Sequence, residues 1–124
     1  MKAKILVVDD EKSMQELLKN VLTMSGFEVS IAGDDVEFKA EVKKEKPDVI
    51  ILDLVLGDKD GSQVYQELLA QGLDRNIPVV FLSALAEDRP ATLPRPDRKY
   101  SLVGKPFDPD VLVQNLQRMV SACP

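Results

Sequence analysis

Four apolar runs, each closed by polar residues, constrain this chain more than any other feature. Ile5-Leu6-Val7-Val8 runs into Asp9-Asp10, Val49-Ile50-Ile51-Leu52 into Asp53, and Val79-Val80-Phe81-Leu82 into Ser83. A shorter run, Ser101-Leu102-Val103, leads to Lys105-Pro106. Apolar runs of this length between turn residues read as strands of a parallel sheet buried on both faces. Polar residues that recur where such strands end gather at the carboxyl edge, where open α/β sheets carry their sites. That edge would hold three carboxylates, one hydroxyl and one ammonium.

The intervening segments read as helices. Met14, Leu17, Leu18, Val21, Leu22 and Ser25 recur at helical spacing, Ser13 or Asp10 can cap their start, and Gly26 stands where a C-terminal cap belongs. Glu28 to Ala32 alternates as a strand. Gly33-Asp34-Asp35 then turns into a charged helix from about Val36 to Lys44, ended by Pro47. A loop from Gly57 to Gly61 follows the third strand, and Asp60 with Gln63 has capping-box spacing for a helix through about Gln71. The last helix starts at Asp108 as cap with Pro109 in its first turn, and Leu112, Leu116, Met119 and Val120 form its inner face. Pro90, Pro94 and Pro96 predict an irregular or shortened fourth helix, since an interior proline costs about 3 kcal/mol. Five strand–helix alternations predict an α/β fold, a doubly wound five-stranded parallel sheet with right-handed crossovers.

Composition narrows the functions. At 124 residues the chain is read as one domain, 1–124, with no second domain in it. Sixteen basic against 21 acidic residues leave a net charge of −5, which argues against nucleic-acid binding through this domain. No run approaches the ~20 apolar residues of a membrane span. The single cysteine, Cys123, forms no internal disulfide, so a cytoplasmic location is expected. With no histidine, Ser-His and Cys-His hydrolysis are excluded, and no Walker-type glycine loop is present.

Asp9, Asp10 and Asp53 repel one another unless a cation sits among them, and Mg²⁺ suits such hard oxygen ligands. Lys105 can neutralise a phosphoryl oxygen and Ser83 can donate to another. An aspartate beside a metal can attack phosphorus and form an acyl phosphate.

Taken together, "ILVVDDE", "PDVIILDLVLGDKDG", "IPVVFLSA" and "LVGKPFD" resemble the receiver domain of two-component response regulators over nearly the whole chain. The resemblance implies a flavodoxin-like fold of strand order 2-1-3-4-5 and Asp53 as acceptor of a phosphoryl group from a histidine kinase or phosphotransfer protein. It implies Mg²⁺ bound by Asp10 directly, by Asp9 through water, by Asp53 and by the Val55 backbone carbonyl. Ser83 and Lys105 would hold the phosphoryl oxygens. Such a domain is not an enzyme; it assists its own phosphorylation and dephosphorylation, and signals to a downstream protein or to an output domain absent from this chain. The Lys105-Pro106 peptide is expected to be cis.

Three positions depart from the family pattern. Gly57 stands where proline is usual, Leu102 replaces the usual switch aromatic, and the proline-rich stretch replaces an amphipathic helix. Tyr100, two residues before Leu102, shares its side of a strand, and the pair marks a candidate signalling face. Two alternatives remain open. A receiver-like interaction module would dock partners without phosphate, although such modules usually lose the acceptor or the lysine. A Mg-dependent aspartyl-phosphate hydrolase of the haloacid-dehalogenase type needs a second acid where Val55 stands.

Overall fold

A computed structural model describes residues 3–74, 76–83, 100–104 and 108–121. In chain order the elements are β1 (Lys4–Val8), α1 (Lys12–Met24), β2 (Glu28–Ala32), α2 (Asp35–Glu45), β3 (Val49–Asp53), β4 (Val55–Leu56), β5 (Lys59–Asp60), α3 (Gly61–Ala70), β6 (Val79–Ser83), β7 (Tyr100–Gly104) and α4 (Pro109–Ser121).

Five parallel strands form the sheet in the order β2-β1-β3-β6-β7. Counted among the sheet's own strands this is the expected 2-1-3-4-5. β4 and β5 form a separate antiparallel hairpin, with Val55 opposite Asp60 and Leu56 opposite Lys59.

The apolar runs fill two cores because successive side chains of a strand point to opposite faces. Leu6, Val8, Ile50, Leu52, Val79 and Phe81 pack with Phe38 of α2 and Val64, Tyr65 and Leu68 of α3. The alternate set, Ile5, Val7, Val49, Ile51, Val80 and Leu82, packs with Leu18 and Leu22 of α1 and Leu112 and Leu116 of α4. The Tyr65 ring meets Phe81 edge-on at 5.5 Å, a favoured aromatic geometry. Truncating Phe81 to alanine should cost about 3–5 kcal/mol, read as a lowered denaturant midpoint.

Side-chain caps and a glycine bound the helices. Asp34 caps α2 by accepting from the Glu37 amide at 2.8 Å, while the Glu37 carboxylate reaches back to the Gly33 amide at 2.7 Å. Asp108 caps α4 through the Asp110 amide at 2.9 Å. Gly26 follows α1 at φ +95°, where a side chain would be strained.

Three details correct the sequence reading. The N-cap position of α1 is Glu11, not Ser13 or Asp10, and no side chain closes that cap. Leu17 is 43% exposed and lies off the buried stripe, as does Ser25, whose hydroxyl bonds the Val21 carbonyl. The stretch read as a loop from Gly57 to Gly61 instead supplies the turn and second strand of the β4–β5 hairpin, with Gly57 at φ +67°, and Gly61 already opens α3. The proline-rich segment and the Lys105-Pro106 bond lie outside the described residues.

Candidate functional site

Strand register brings the acids together. Val8 of β1 is paired with Leu52 of β3, so the next residues, Asp9 and Asp53, leave the sheet side by side. Asp53 is in turn paired with Leu82, which places Ser83 one step further along the same edge. Asp9 is fully buried, Asp53 is 6% exposed and Asp10 is exposed. One carboxylate oxygen from each of Asp9, Asp10 and Asp53 lies within 4.8 Å of the others.

A backbone amide fixes each of these carboxylates. The Glu11 amide donates to Asp9 Oδ1 at 2.9 Å, and the Val55 amide donates to Asp53 Oδ1 at 2.9 Å. Both are short-range turns, two residues apart. Asp10 is held from 47 residues away, its Oδ2 accepting from the Gly57 amide at 3.0 Å. A proline there would have no N–H to donate, and its φ near −65° is incompatible with the observed +67°. The departure from the family pattern thus supplies a contact to an acid that the usual residue lacks. Gln15 adds a further tie, its side-chain amide donating to the Asp9 carbonyl.

The end of β3 is anchored by α3. The Gly61 amide donates to the Leu54 carbonyl at 2.7 Å, and a Cβ on Gly61 would lie 2.0 Å from the Asp53 carbonyl oxygen. Asp60 caps α3 by accepting from both the amide and the hydroxyl of Ser62, at 2.9 and 2.6 Å. The expected cap is therefore present, although it engages Ser62 rather than position 63.

Beside the site, Lys59 of β5 bridges to Asp35 of α2 at 2.7 Å. The lysine's hydrogen bond holds the Asp35 carboxyl below its usual range, and the same bond raises Lys59. A depressed acid stabilises above its unfolded value of 3.8 and loses that contribution as pH falls through its folded value. A raised lysine stabilises below 10.5 and loses it as pH rises through its folded value. The pair is largely solvent-exposed, so its effect is small and screened. The stability difference between wild type and Lys59→Met should be flat between these two values, shrink outside them, and vanish in molar salt. A difference that persists in molar salt would show that the pairing is not its cause.

Of the residues singled out in the sequence, Asp9, Asp10 and Asp53 are brought together, with Val55 immediately beyond them and 64% exposed. Ser83 ends β6 and is paired with Gly104 of β7. Tyr100 and Leu102 lie in β7, in register with Val79 and Phe81. Lys105 lies outside the described residues. Sequence reasoning missed Gln15 and the structural demand on Gly61, and it read Gly57 only as a departure from the family pattern. The Gly-Asp pair at 57–58, a favoured hairpin turn, is the one local clue that was available.

Hard oxygen donors suit Mg²⁺, whose ligands sit at about 2.0–2.1 Å and hence up to roughly 4.2 Å apart. The three oxygens within 4.8 Å need to close only slightly around such an ion. The residues present therefore fit the metal. Among the described residues no helix is long and apolar enough to cross a membrane.

The fold and this edge define a flavodoxin-like α/β domain with an acidic cluster at the carboxyl end of its sheet. The response regulator receiver domain model matches residues 5–117, and the chain belongs to that family. It is 33% identical over 117 residues to the DNA-binding response regulator MtrA of Mycobacterium tuberculosis, covering 94% of this chain and 50% of that protein. It is 36% identical over 121 residues to the probable transcriptional regulator ycf27 of Pyropia yezoensis, covering 96% and 48%. The chain thus spans about half the length of the curated relatives it matches. Among solved structures, the chemotaxis response regulator CheY4 of Vibrio cholerae superposes with a TM-score of 0.79 at 28% identity, covering 96% of this chain and 99% of that one. The receiver domain of the Francisella response regulator 1452 gives 0.83 at 26% identity, covering 99% and 100%. Membership accords with a role in a two-component phosphorelay and does not favour the interaction-module or hydrolase alternatives.

Proposed function

We propose that Asp53 accepts a phosphoryl group from a phosphohistidine of a histidine kinase or phosphotransfer protein. The observation that carries this is the convergence of Asp9, Asp10 and Asp53 at the end of β3. As the N–P bond breaks, its electron pair leaves with the imidazole, and an Asp53 oxygen forms the new O–P bond. The Val55 amide orients the attacking carboxylate through Oδ1. Asp9, Asp10, Asp53 and the Val55 carbonyl would hold Mg²⁺, which when bound would supply positive charge against the phosphoryl oxygens. Ser83 and Lys105 complete the neutralisation of those oxygens.

Downstream, the relatives' names point to an output beyond the receiver, since one is called DNA-binding and another a transcriptional regulator. This chain would pass its signal to such an output domain or to a separate protein. Tyr100 and Leu102 form the candidate signalling face, without the usual aromatic switch. No nucleic-acid contact is assigned to the acidic domain itself, which would act in the cytoplasm.

Incubation with Mg²⁺ and acetyl phosphate tests the acceptor role, with Asp10→Ala expected to weaken Mg²⁺ binding. Persistence of the phosphoryl group is a second expected property. Val55 and Leu85 stand two residues beyond Asp53 and Ser83, and neither apolar side chain can orient an attacking water. Decay of the aspartyl phosphate should quicken when Val55→Asn and Leu85→Glu are combined; equal or slower decay would contradict this.

A further inference from the structure

At the opposite edge of the sheet from the acids, α2 and α3 fail to close over the core. The gap is a half-open cleft of about 400 Å³. Its floor is apolar, formed by Val42, Leu68, Leu73 and Ile77, all packed on the core beneath α2 and α3. Among the described residues its rim carries Lys39, Lys43 and Lys46 against a single acid, Asp74.

This rim runs against the chain's overall charge of −5. α2 also carries Glu37, Glu41 and Glu45, yet none of them lines the cleft. Glu37 is bound to the Gly33 amide, and Glu45 accepts from the Ser30 hydroxyl of β2. Of the helix's three lysines, Lys39 and Lys43 line the cleft and Lys44 does not, while Lys46 joins them from the C-cap. Lys46 adds a backbone observation. It sits at φ +49°, the left-handed geometry where glycine or asparagine costs less, and among the described residues no other non-glycine has positive φ.

We propose that this cleft binds a small amphipathic carboxylate, its apolar body on the Val42–Leu68–Leu73–Ile77 floor and its anionic head among Lys39, Lys43 and Lys46. Volume and charge both select that class. A cleft near 400 Å³ falls in the range of small-molecule sites, which combine apolar walls with a few placed polar groups. Three cations against one anion favour a negative head over a neutral one. The assignment is independent of the phosphoryl reading, since none of its residues belongs to the acidic site.

Decanoate is a suitable probe, added below its micelle concentration to the ¹⁵N-labelled chain and followed by amide shifts. Saturable shifts should cluster at Val42, Leu68, Gly72 and Leu73. Combining Lys39→Gln, Lys43→Gln and Lys46→Gly should weaken binding about tenfold, as three exposed charge pairs would together supply. Lys46→Gly relieves the left-handed strain, and the variant's unfolding midpoint checks that it folds. Decanol should bind correspondingly more weakly than decanoate. Equal affinity for decanol, unchanged binding by the triple variant, or shifts elsewhere would overturn the proposal. Tight binding of an acidic amphipathic peptide without binding of decanoate would also overturn it, and would make the cleft a protein-docking surface instead.

Discussion

Asp53→Asn should abolish labelling by acetyl phosphate or by a phosphohistidine donor, a loss limited only by the detection floor. An amide nitrogen offers phosphorus no anionic oxygen, so the acyl-phosphate bond cannot form. The side chain keeps its shape, and its remaining carbonyl oxygen can still accept from the Val55 amide that now holds Asp53 Oδ1 at 2.9 Å. Loss of labelling would then report chemistry rather than collapse of the edge. A matched unfolding midpoint is the control. Labelling of Asp53→Asn at the wild-type level would move the acceptor elsewhere.

The second large effect should come from a single methyl group. Gly61 opens α3 against the end of β3, and a Cβ there would lie 2.0 Å from the Asp53 carbonyl oxygen and 3.0 Å from the Leu54 Cα. The obstructing atoms are backbone, so no side-chain rotation can relieve the clash. Either the end of β3 moves or α3 starts elsewhere and loses the 2.7 Å bond from the Gly61 amide to the Leu54 carbonyl. Gly61→Ala should therefore destabilise by about 3 kcal/mol, the upper end for overpacked sites. Phosphorylation should slow as well, because the movement falls on the strand that aims Asp53. A loss under about 0.5 kcal/mol, the range of an ordinary surface substitution, would mean that the close approach is not obligatory.

What was legible beforehand follows from periodicity and register. The apolar runs of β1, β3 and β6 are buried on both faces, and their alternating residues divide between the two cores. Because those runs end in polar residues, parallel register was enough to bring Asp9 beside Asp53. The caps Asp60 and Asp108 were equally readable, since such a cap is a contact between near neighbours in sequence.

Other features depended on distant contacts. The Gly57 amide reaches Asp10 across 47 positions, and no local pattern announces that bond. β4 and β5 have two residues each, too short for alternation to show. Leu17 sits one position before the buried Leu18, where helical spacing alone leaves the edge of the apolar stripe undecided. The demand on Gly61 arises from how closely α3 abuts β3, a packing distance rather than a sequence pattern.

Intact mass of the wild-type chain after acetyl phosphate, with Mg²⁺ and with the metal chelated, decides whether Asp53 is the acceptor, with the modified residue then located by fragmentation. One added phosphoryl group is expected, dependent on Mg²⁺ and located on Asp53. A chain that gains no mass in the presence of Mg²⁺, or that carries the group on another residue, would contradict it.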